Sequence, residues 1–183
     1  MKNKILKYFL IAVSVLLAAF TVGSAYADTY GDTKTGYYLE DKVKLSAECA
    51  VLMEAQSGRV LFASNASAQR PMASTTKIMT ALVALENSNP YDVVTMTGDA
   101  VRTAGSSTYA KEGDKLYMED VLYGLMLNSG NDAAEAVAQS VSGTDTEFAK
   151  LMTERAKECG AAATCFTNPS GLPDDGHYTT AYD

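Results

Sequence analysis

The chain has 183 residues, of which 47% are hydrophobic and 20% charged, and its formal net charge is −7 at pH 7. This length and composition fit one globular domain and exclude a disordered acidic chain and a protein embedded in the membrane throughout. The excess of acidic residues excludes nucleic acid as a partner, because the phosphate backbone carries charge of the same sign. A single histidine, His177, argues against a zinc enzyme, whose catalytic metal usually takes two or three His or Cys ligands.

Residues 1–27 have the pattern of a secretory signal peptide. Three lysines precede an apolar run from Tyr8 to Val22, and Ala25-Tyr26-Ala27 follows as a small-x-small cleavage site. A membrane anchor is the alternative, although the run is short for a helix that spans a bilayer. No cysteine directly follows the run at the cleavage site, which disfavours a lipoprotein. Cleavage after Ala27 removes three lysines and no acid, so the net charge falls from −7 to −10.

A polar lead-in over residues 28–45 precedes a predicted β-hairpin. Two short apolar runs, 49–54 and 59–63, flank the turn Ala55-Gln56-Ser57-Gly58. Because a lone hairpin is marginal in water, this one is expected to need partner strands. A further short strand is predicted over residues 92–97.

Four helices are predicted after the hairpin from their apolar periodicity. The first, over residues 74–86, lacks Gly and Pro and carries Ile78, Leu82 and Leu85 at helical spacing, and we expect it to be largely buried. The others cover residues 119–127, 132–141 and 144–159. Thr144 is predicted to cap the last of these helices, with Glu147 in capping-box position.

The end of the chain is predicted to be a turn with the possible start of a helix. Asn168-Pro169-Ser170-Gly171 has the composition of a turn, and Thr179-Thr180 could begin a further helix. The three cysteines are Cys49, Cys159 and Cys165, and an odd number leaves at least one free thiol in an exported chain. Cys159 and Cys165 could pair, and three reduced thiols are the alternative.

Ser74-Thr75-Thr76-Lys77 forms an S-x-x-K motif at the start of the first predicted helix. Positions i and i+3 share a helix face, so the Lys77 amine can reach the Ser74 hydroxyl. A serine hydroxyl needs a base to become a nucleophile. Lysine can be that base if burial or a nearby cation lowers its pKa well below about 10.4. Alone the motif is weak, because a capping serine followed by a solvated lysine is common.

Ser129-Gly130-Asn131 lies between two predicted helices and forms an S-x-N triplet. Its hydroxyl could relay a proton to a leaving amine, and its amide could hold a substrate carbonyl. Taken alone, an ordinary helix–helix turn explains the triplet better, because such residues favour turns.

The two motifs in this order resemble the signature of penicillin-binding proteins and serine β-lactamases. The sequence around these motifs resembles one branch of these proteins, the low-molecular-weight D-alanyl-D-alanine carboxypeptidases, over residues 46–183. The matching stretches are Pro71-Met72-Ala73-Ser74-Thr75-Thr76-Lys77-Ile78-Met79-Thr80, Ser129-Gly130-Asn131-Asp132-Ala133-Ala134, Asn168-Pro169-Ser170-Gly171-Leu172 and His177-Tyr178-Thr179-Thr180-Ala181.

The resemblance implies an α/β fold of the α+β type, in which a helical cluster packs on the antiparallel sheet of a β-lactamase/transpeptidase-like domain. It implies that Ser74 forms an acyl-enzyme, Lys77 activates it, Ser129 assists proton transfer and Asn131 binds substrate. The substrates would be peptidoglycan stem peptides ending in D-Ala-D-Ala, and β-lactams would acylate Ser74 as inhibitors. The family needs no metal or other cofactor, and it acts outside the cytoplasm.

The sequence departs from the family pattern in one motif. No Lys-Thr-Gly follows Asn131, and we attribute Lys34-Thr35-Gly36, which precedes the nucleophile, to coincidence. In the family, that strand binds the substrate carboxylate and supplies a second oxyanion donor. The later domain and membrane-associating tail of the family are also missing, so membrane association is expected only through a tail absent here. We therefore expect a truncated catalytic domain with an incomplete sheet.

Three other functions compete with this interpretation. An inactive remnant or a penicilloyl-sensing module would share the fold, which does not by itself fix activity. A β-lactamase would need a placed Glu for deacylation, and no E-x-x-x-N stretch follows Ser129. A Ser-His-Asp hydrolase would use His177 with Ser170 or Ser129 as nucleophile and an acid from Asp174 or Asp175, but no G-x-S-x-G elbow is present.

Overall fold

The computed structural model describes residues 44–183. The predicted signal peptide and Lys34-Thr35-Gly36 lie outside the described residues. The chain divides between Ser64 and Asn65 into two compact units. Within the described part of the chain, no helix combines the length and the apolar character that a membrane crossing requires.

The first unit contains the predicted hairpin. Strand β1 (Ala50–Met53) pairs antiparallel with β2 (Val60–Ser64), and the register shifts between Leu52 and Met53. The turn is closed by the Glu54 carboxylate, which accepts the backbone N–H of Gln56 at 3.0 Å and also the hydroxyl of Ser57. The hairpin prediction is confirmed.

The second unit is mostly helical, and its described part runs from Asn65 to Asp183. Its elements in chain order are a 3₁₀ turn (Ala73–Thr75), α1 (Thr76–Asn87), β3 (Val93–Thr95), α2 (Gly98–Val101), β4 (Lys115–Tyr117), α3 (Met118–Leu127), α4 (Asn131–Ser142) and α5 (Asp145–Glu158). Strands β3 and β4 pair antiparallel, with Val94 opposite Leu116. The four predicted helices are confirmed, while β4 and the short α2 are elements that periodicity did not predict.

Helix α4 is the centre of this unit. It packs against α1, α2, α3, α5 and β3, and every residue from Asn131 to Ala138 is buried. Four of these eight residues are alanine, whose small side chain lets the neighbouring helices approach closely and whose helix propensity is the highest of all. The polar residues at the start of α4 are therefore held inside the protein, where their partners are fixed.

Helix α1 buries one face rather than most of its surface. Its buried residues are Thr76, Lys77, Thr80, Val83 and Ala84. Ile78 is 63% exposed and Leu85 is 58% exposed, so the expectation of a largely buried helix was wrong for these positions. The inward face carries polar residues because α4 and the loop after α5 provide hydrogen-bond partners for them.

The end of the chain forms bridges instead of a helix. The backbone of Thr179 pairs with Arg70, and that of Tyr178 pairs with Cys165, both antiparallel. The expectation that Thr179-Thr180 begins a helix is therefore wrong, because tertiary pairing takes up the backbone hydrogen bonds that a helix would use. Thr144 caps α5 as predicted and accepts the Glu147 N–H at 3.2 Å. All three cysteines are free thiols.

Candidate active site

Ser74 and Lys77 lie at the start of α1, with the Lys77 Nζ atom 3.3 Å from the Ser74 Oγ atom. Ser74 is exposed in the 3₁₀ turn, whereas Lys77 is only 2% exposed. The hydroxyl is thus open to a ligand from solvent while the amine beneath it is enclosed by protein. Burial lowers the pKa of Lys77, against an opposing effect of the negative charge of Glu135.

The Lys77 amine has three partners. Besides Ser74, it donates to Asn131 Oδ1 at 2.7 Å and to the Ser170 carbonyl oxygen at 2.6 Å. The Asn131 and Ser170 oxygens can only accept hydrogen bonds, whereas a serine hydroxyl can also donate one. If Lys77 loses a proton, its remaining two N–H groups can satisfy the two carbonyl oxygens. Its lone pair is then directed at the one partner with a proton to give, Ser74.

Asn131 is held in place from both ends of its amide. While Oδ1 accepts from Lys77, Nδ2 donates to the Ala104 carbonyl at 2.7 Å, and the backbone N–H donates to the Ser106 carbonyl at 2.7 Å. A side chain at Gly105 would place its Cβ atom 2.7 Å from Nδ2. The loop before β4 therefore fixes the orientation of the amide that faces Lys77.

Asp132 fastens the same loop to the start of α4. Its buried carboxylate accepts the hydroxyl of Ser107 at 2.7 Å, and the N–H and hydroxyl of Thr108 at 2.9 and 2.7 Å. Burial acts to raise the pKa of Asp132, but these hydrogen bonds outweigh it, and the pKa lies below its ordinary value. The motif analysis gave Asp132 no role, although it directly follows the S-x-N triplet.

Ser129 lies between α3 and α4, half-buried and with a left-handed backbone (φ 54°). This conformation is uncommon for a residue with a side chain. Within residues 44–183, Lys77 forms hydrogen bonds with Ser74, Asn131 and Ser170. Ser129 is not one of these partners, but it precedes Asn131 by two residues in the sequence. Its part in proton transfer stays a prediction.

The turn at residues 168–171 presents the Ser170 carbonyl to Lys77. Asn168 Oδ1 accepts the Ser170 N–H at 3.2 Å and the Gly171 N–H at 2.8 Å, and Thr80 donates to the Pro169 carbonyl at 2.6 Å. Gly171 has φ 86°, and a Cβ atom there would lie 2.0 Å from the Ala73 carbonyl oxygen. This turn therefore packs directly on the residue before Ser74, and only glycine fits.

His177 is buried and links Thr76 at the start of α1 to Thr167 in the loop after α5. It is 3% exposed, and its Nδ1 atom accepts the Thr167 N–H at 3.1 Å. The Nε2 atom must then carry the proton of the neutral ring and donate it to Thr76 Oγ1 at 2.7 Å. Burial lowers the pKa of His177, opposed by Asp174, which favours this neutral form.

The Ser-His-Asp alternative gains no support from these contacts. The His177 ring nitrogens bond to Thr76 and Thr167, and the Ser170 hydroxyl donates to Asn168 at 3.1 Å. His177 thus holds the first turn of α1 against the loop after α5.

Glu135 is a further acidic residue that the motif analysis missed. It follows Asn131 by one turn of α4, is 8% exposed and has the side chains of Asp145 and Ser170 as polar neighbours. Burial, followed by Asp145, raises the pKa of Glu135 to about 8. No sequence motif includes this residue, because its relation to Lys77 arises only when α1 and α4 pack together.

The comparison with known families decides the family to which this chain belongs. The family model for D-alanyl-D-alanine carboxypeptidases matches residues 36–183. The chain belongs to the D-alanyl-D-alanine carboxypeptidase family. The resemblance inferred from the motifs is thereby confirmed.

Curated members of the D-alanyl-D-alanine carboxypeptidase family align over most of this chain. D-alanyl-D-alanine carboxypeptidase DacF of Bacillus subtilis is 39% identical over 142 residues, which cover 75% of this chain and 36% of DacF. DacC of Escherichia coli is 34% identical over 184 residues, which cover 93% of this chain and 46% of DacC. The chain thus spans less than half the length of these relatives.

Solved structures of the family share the fold. D-alanyl-D-alanine carboxypeptidase DacD from Francisella tularensis matches with a TM-score of 0.73 at 34% identity, over 85% of this chain and 39% of that one. A mutant of Streptomyces K15 DD-transpeptidase matches with a TM-score of 0.70 at 32% identity, over 76% of this chain and 58% of that one. The predicted transpeptidase-like α/β fold is confirmed.

Proposed function

We propose that this chain carries the acylation centre of a serine-type D-Ala-D-Ala carboxypeptidase, with Ser74 as nucleophile and Lys77 as its base. The observation that carries the proposal is the set of Lys77 partners, two carbonyl oxygens and the Ser74 hydroxyl. The curated relatives DacF and DacC are named as carboxypeptidases of this specificity. Because the chain spans only part of each of them, the activity of the whole protein belongs to the proposal.

The proposed reaction begins at the penultimate D-alanine of a stem peptide. The Ser74 oxygen attacks the carbonyl carbon while Lys77 takes its proton, and the Ser74 N–H is one donor to the developing oxyanion. The C–N bond then breaks, a proton reaches the leaving amine through the Ser129 hydroxyl, and the terminal D-alanine departs. Asn131 binds the substrate peptide. Water hydrolyses the ester and returns the proton to Ser74.

The same centre is proposed to react with β-lactams, whose ring amide takes the place of the peptide bond.

Since peptidoglycan lies outside the cytoplasm, residues 1–27 are proposed to direct export as a cleaved signal peptide. Intact mass spectrometry of exported protein should then find a chain that begins at Asp28. Recovery of exported material that still begins at Met1 would contradict cleavage.

Labelling with a fluorescent penicillin tests the proposed nucleophile. The label should form an ester with Ser74, identified by mass spectrometry of the peptide that contains it, and Ser74→Ala should abolish labelling. Ser57→Ala is the matched control, because Ser57 is an exposed serine in the hairpin turn, and it should label like the unmodified protein. An ester found on another serine, or undiminished labelling of Ser74→Ala, would exclude Ser74 as the nucleophile.

A further inference from the structure

Glu135 and Asp145 form a pair of acidic side chains next to the Lys77 amine. Glu135 lies on α4 and is 8% exposed, and Asp145 is the first residue of α5. Their carboxyl groups lie within hydrogen-bonding reach of one another, and the Ser170 side chain is a further neighbour of Glu135. Two ionised carboxylates have no hydrogen atom to share, so a hydrogen bond between them requires one bound proton.

The contacts place this proton on Glu135. The Asp145 Oδ1 atom is buried, and no N–H or hydroxyl group of the described residues donates to it. A proton on the neighbouring Glu135 carboxyl would supply the missing donor. Asp145 also sits directly after the Thr144 cap, at the N-terminus of α5, where the helix dipole favours a negative charge. The raised pKa of Glu135 agrees with a proton on this residue at neutral pH.

A negative charge on Glu135 raises the pKa of Lys77. The two side chains interact electrostatically, and both are next to Ser170, whose side chain acts on Glu135 and whose carbonyl oxygen accepts from Lys77. Lys77 from α1 and Asp145 from α5 are the charged groups that act on Glu135. The acidic side chains of other elements packed on α4, namely Asp99, Glu119 and Asp120, are solvent-exposed.

We propose that Glu135 and Asp145 are a proton-sharing pair that positions and tunes Lys77. With the proton present, a neutral acid faces the amine, and Lys77 can give up its own proton and serve as a base. When the proton is lost, an anion faces the amine and holds it as an ammonium ion. This role rests on the proposed function of Lys77 as the base for Ser74.

Two isosteric variants of the full chain should change the pH dependence of Ser74 acylation in different ways. Glu135→Gln keeps a neutral hydrogen-bond donor beside Asp145, so its labelling rate by fluorescent penicillin should match wild type near pH 7. Above about pH 8 it should exceed wild type, because no anion forms beside Lys77. The part of its profile that rises above pH 8 should lie about one unit lower in pH than in wild type, the scale of one nearby charge.

Asp145→Asn should act in the opposite direction. It removes the anion that keeps the proton on Glu135, so Glu135 ionises at lower pH and holds Lys77 as ammonium. Labelling near pH 7 should fall about tenfold, which corresponds to a shift of about one pH unit. The double variant should behave like Glu135→Gln, because the group that responds to Asp145 is gone. A merely structural pair would instead lower both single variants together, with an unchanged pH profile.

A second measurement keeps the inference separate from the proposed function. Infrared spectra of protein with ¹³C-labelled glutamate should show the C=O band of a protonated carboxyl at pH 7, and Glu135→Gln should lack this band. If wild type fails to label Ser74 but shows the band, the proposed function is wrong and the carboxyl pair stands. If the band is absent, or if the two variants share the wild-type pH profile, the pair is refuted.

Discussion

Replacing Gly171 by alanine should disturb Lys77 without altering any side chain that hydrogen-bonds to its amine. Gly171 has φ 86°, and the new Cβ atom would lie 2.0 Å from the carbonyl oxygen of Ala73. The left-handed backbone alone costs about 1–2 kcal/mol for a residue with a side chain. The overlap with a main-chain oxygen cannot be relieved by a rotamer change, so the turn or the Ser74 segment must move.

The displacement should reduce acylation as well as stability. The Ser170 carbonyl, which accepts from Lys77 at 2.6 Å, is attached to the Gly171 nitrogen and should move with it. A misplacement of about 1 Å costs on the order of 100-fold in rate. We therefore expect the rate of fluorescent-penicillin labelling to fall by about that factor in Gly171→Ala. The midpoint of thermal unfolding should fall by about 2–4 °C for each kcal/mol lost.

Gly143→Ala is the matched control. Gly143 follows α4 with φ 81°, and a Cβ atom there would have no heavy atom within 4 Å. This variant should lose only the roughly 1–2 kcal/mol of the backbone conformation and should label at the wild-type rate. Equal losses of stability and equal labelling rates in the two variants would refute the argument that the contact with Ala73 positions the site.

Three further predictions concern pH, packing and chain length. Burial lowers the pKa of His177, so the unfolded protein binds more protons than the folded one, and the stability to urea should fall as the pH drops below about 6.5. His177→Gln should flatten this pH dependence. An unchanged slope would exclude His177 as its source. Leu125 is 0% exposed, and Leu125→Ala should lower the unfolding free energy by about 2–5 kcal/mol. Leu127 in the same helix is 78% exposed, and Leu127→Ala should lower it by less than about 0.5 kcal/mol. Equal losses would contradict the packing of α3. Extending the chain with the Lys-Thr-Gly segment of a relative should speed penicillin labelling by about 10²–10³-fold, since that strand supplies an oxyanion donor in the family, and equally fast labelling of both forms would show that the segment is not needed.

Local features were predictable from the sequence because short-range geometry decides them. The hairpin follows from two apolar runs around a glycine turn, and the helices follow from apolar periodicity and the Thr144 cap. The approach of Lys77 to Ser74 follows from the i, i+3 spacing at the start of one helix. The family could be inferred because its motifs are short stretches of adjacent residues in a set order.

Tertiary structure alone decided what surrounds Lys77. Asn131 and Ser170 are 54 and 93 residues away in sequence, and the Ser170 contact is made by a main-chain oxygen that every residue type possesses. The burial of Lys77 was expected from its role as a base and is confirmed, but apolar periodicity favoured Ile78, and only the packing of helices against α1 decides which residue is enclosed. The raised pKa of Glu135 depends on its burial and on Asp145, which approaches it only when α4 and α5 are packed together. Burial and the charge of distant neighbours set these properties, and neither is encoded in the spacing of residues along the chain.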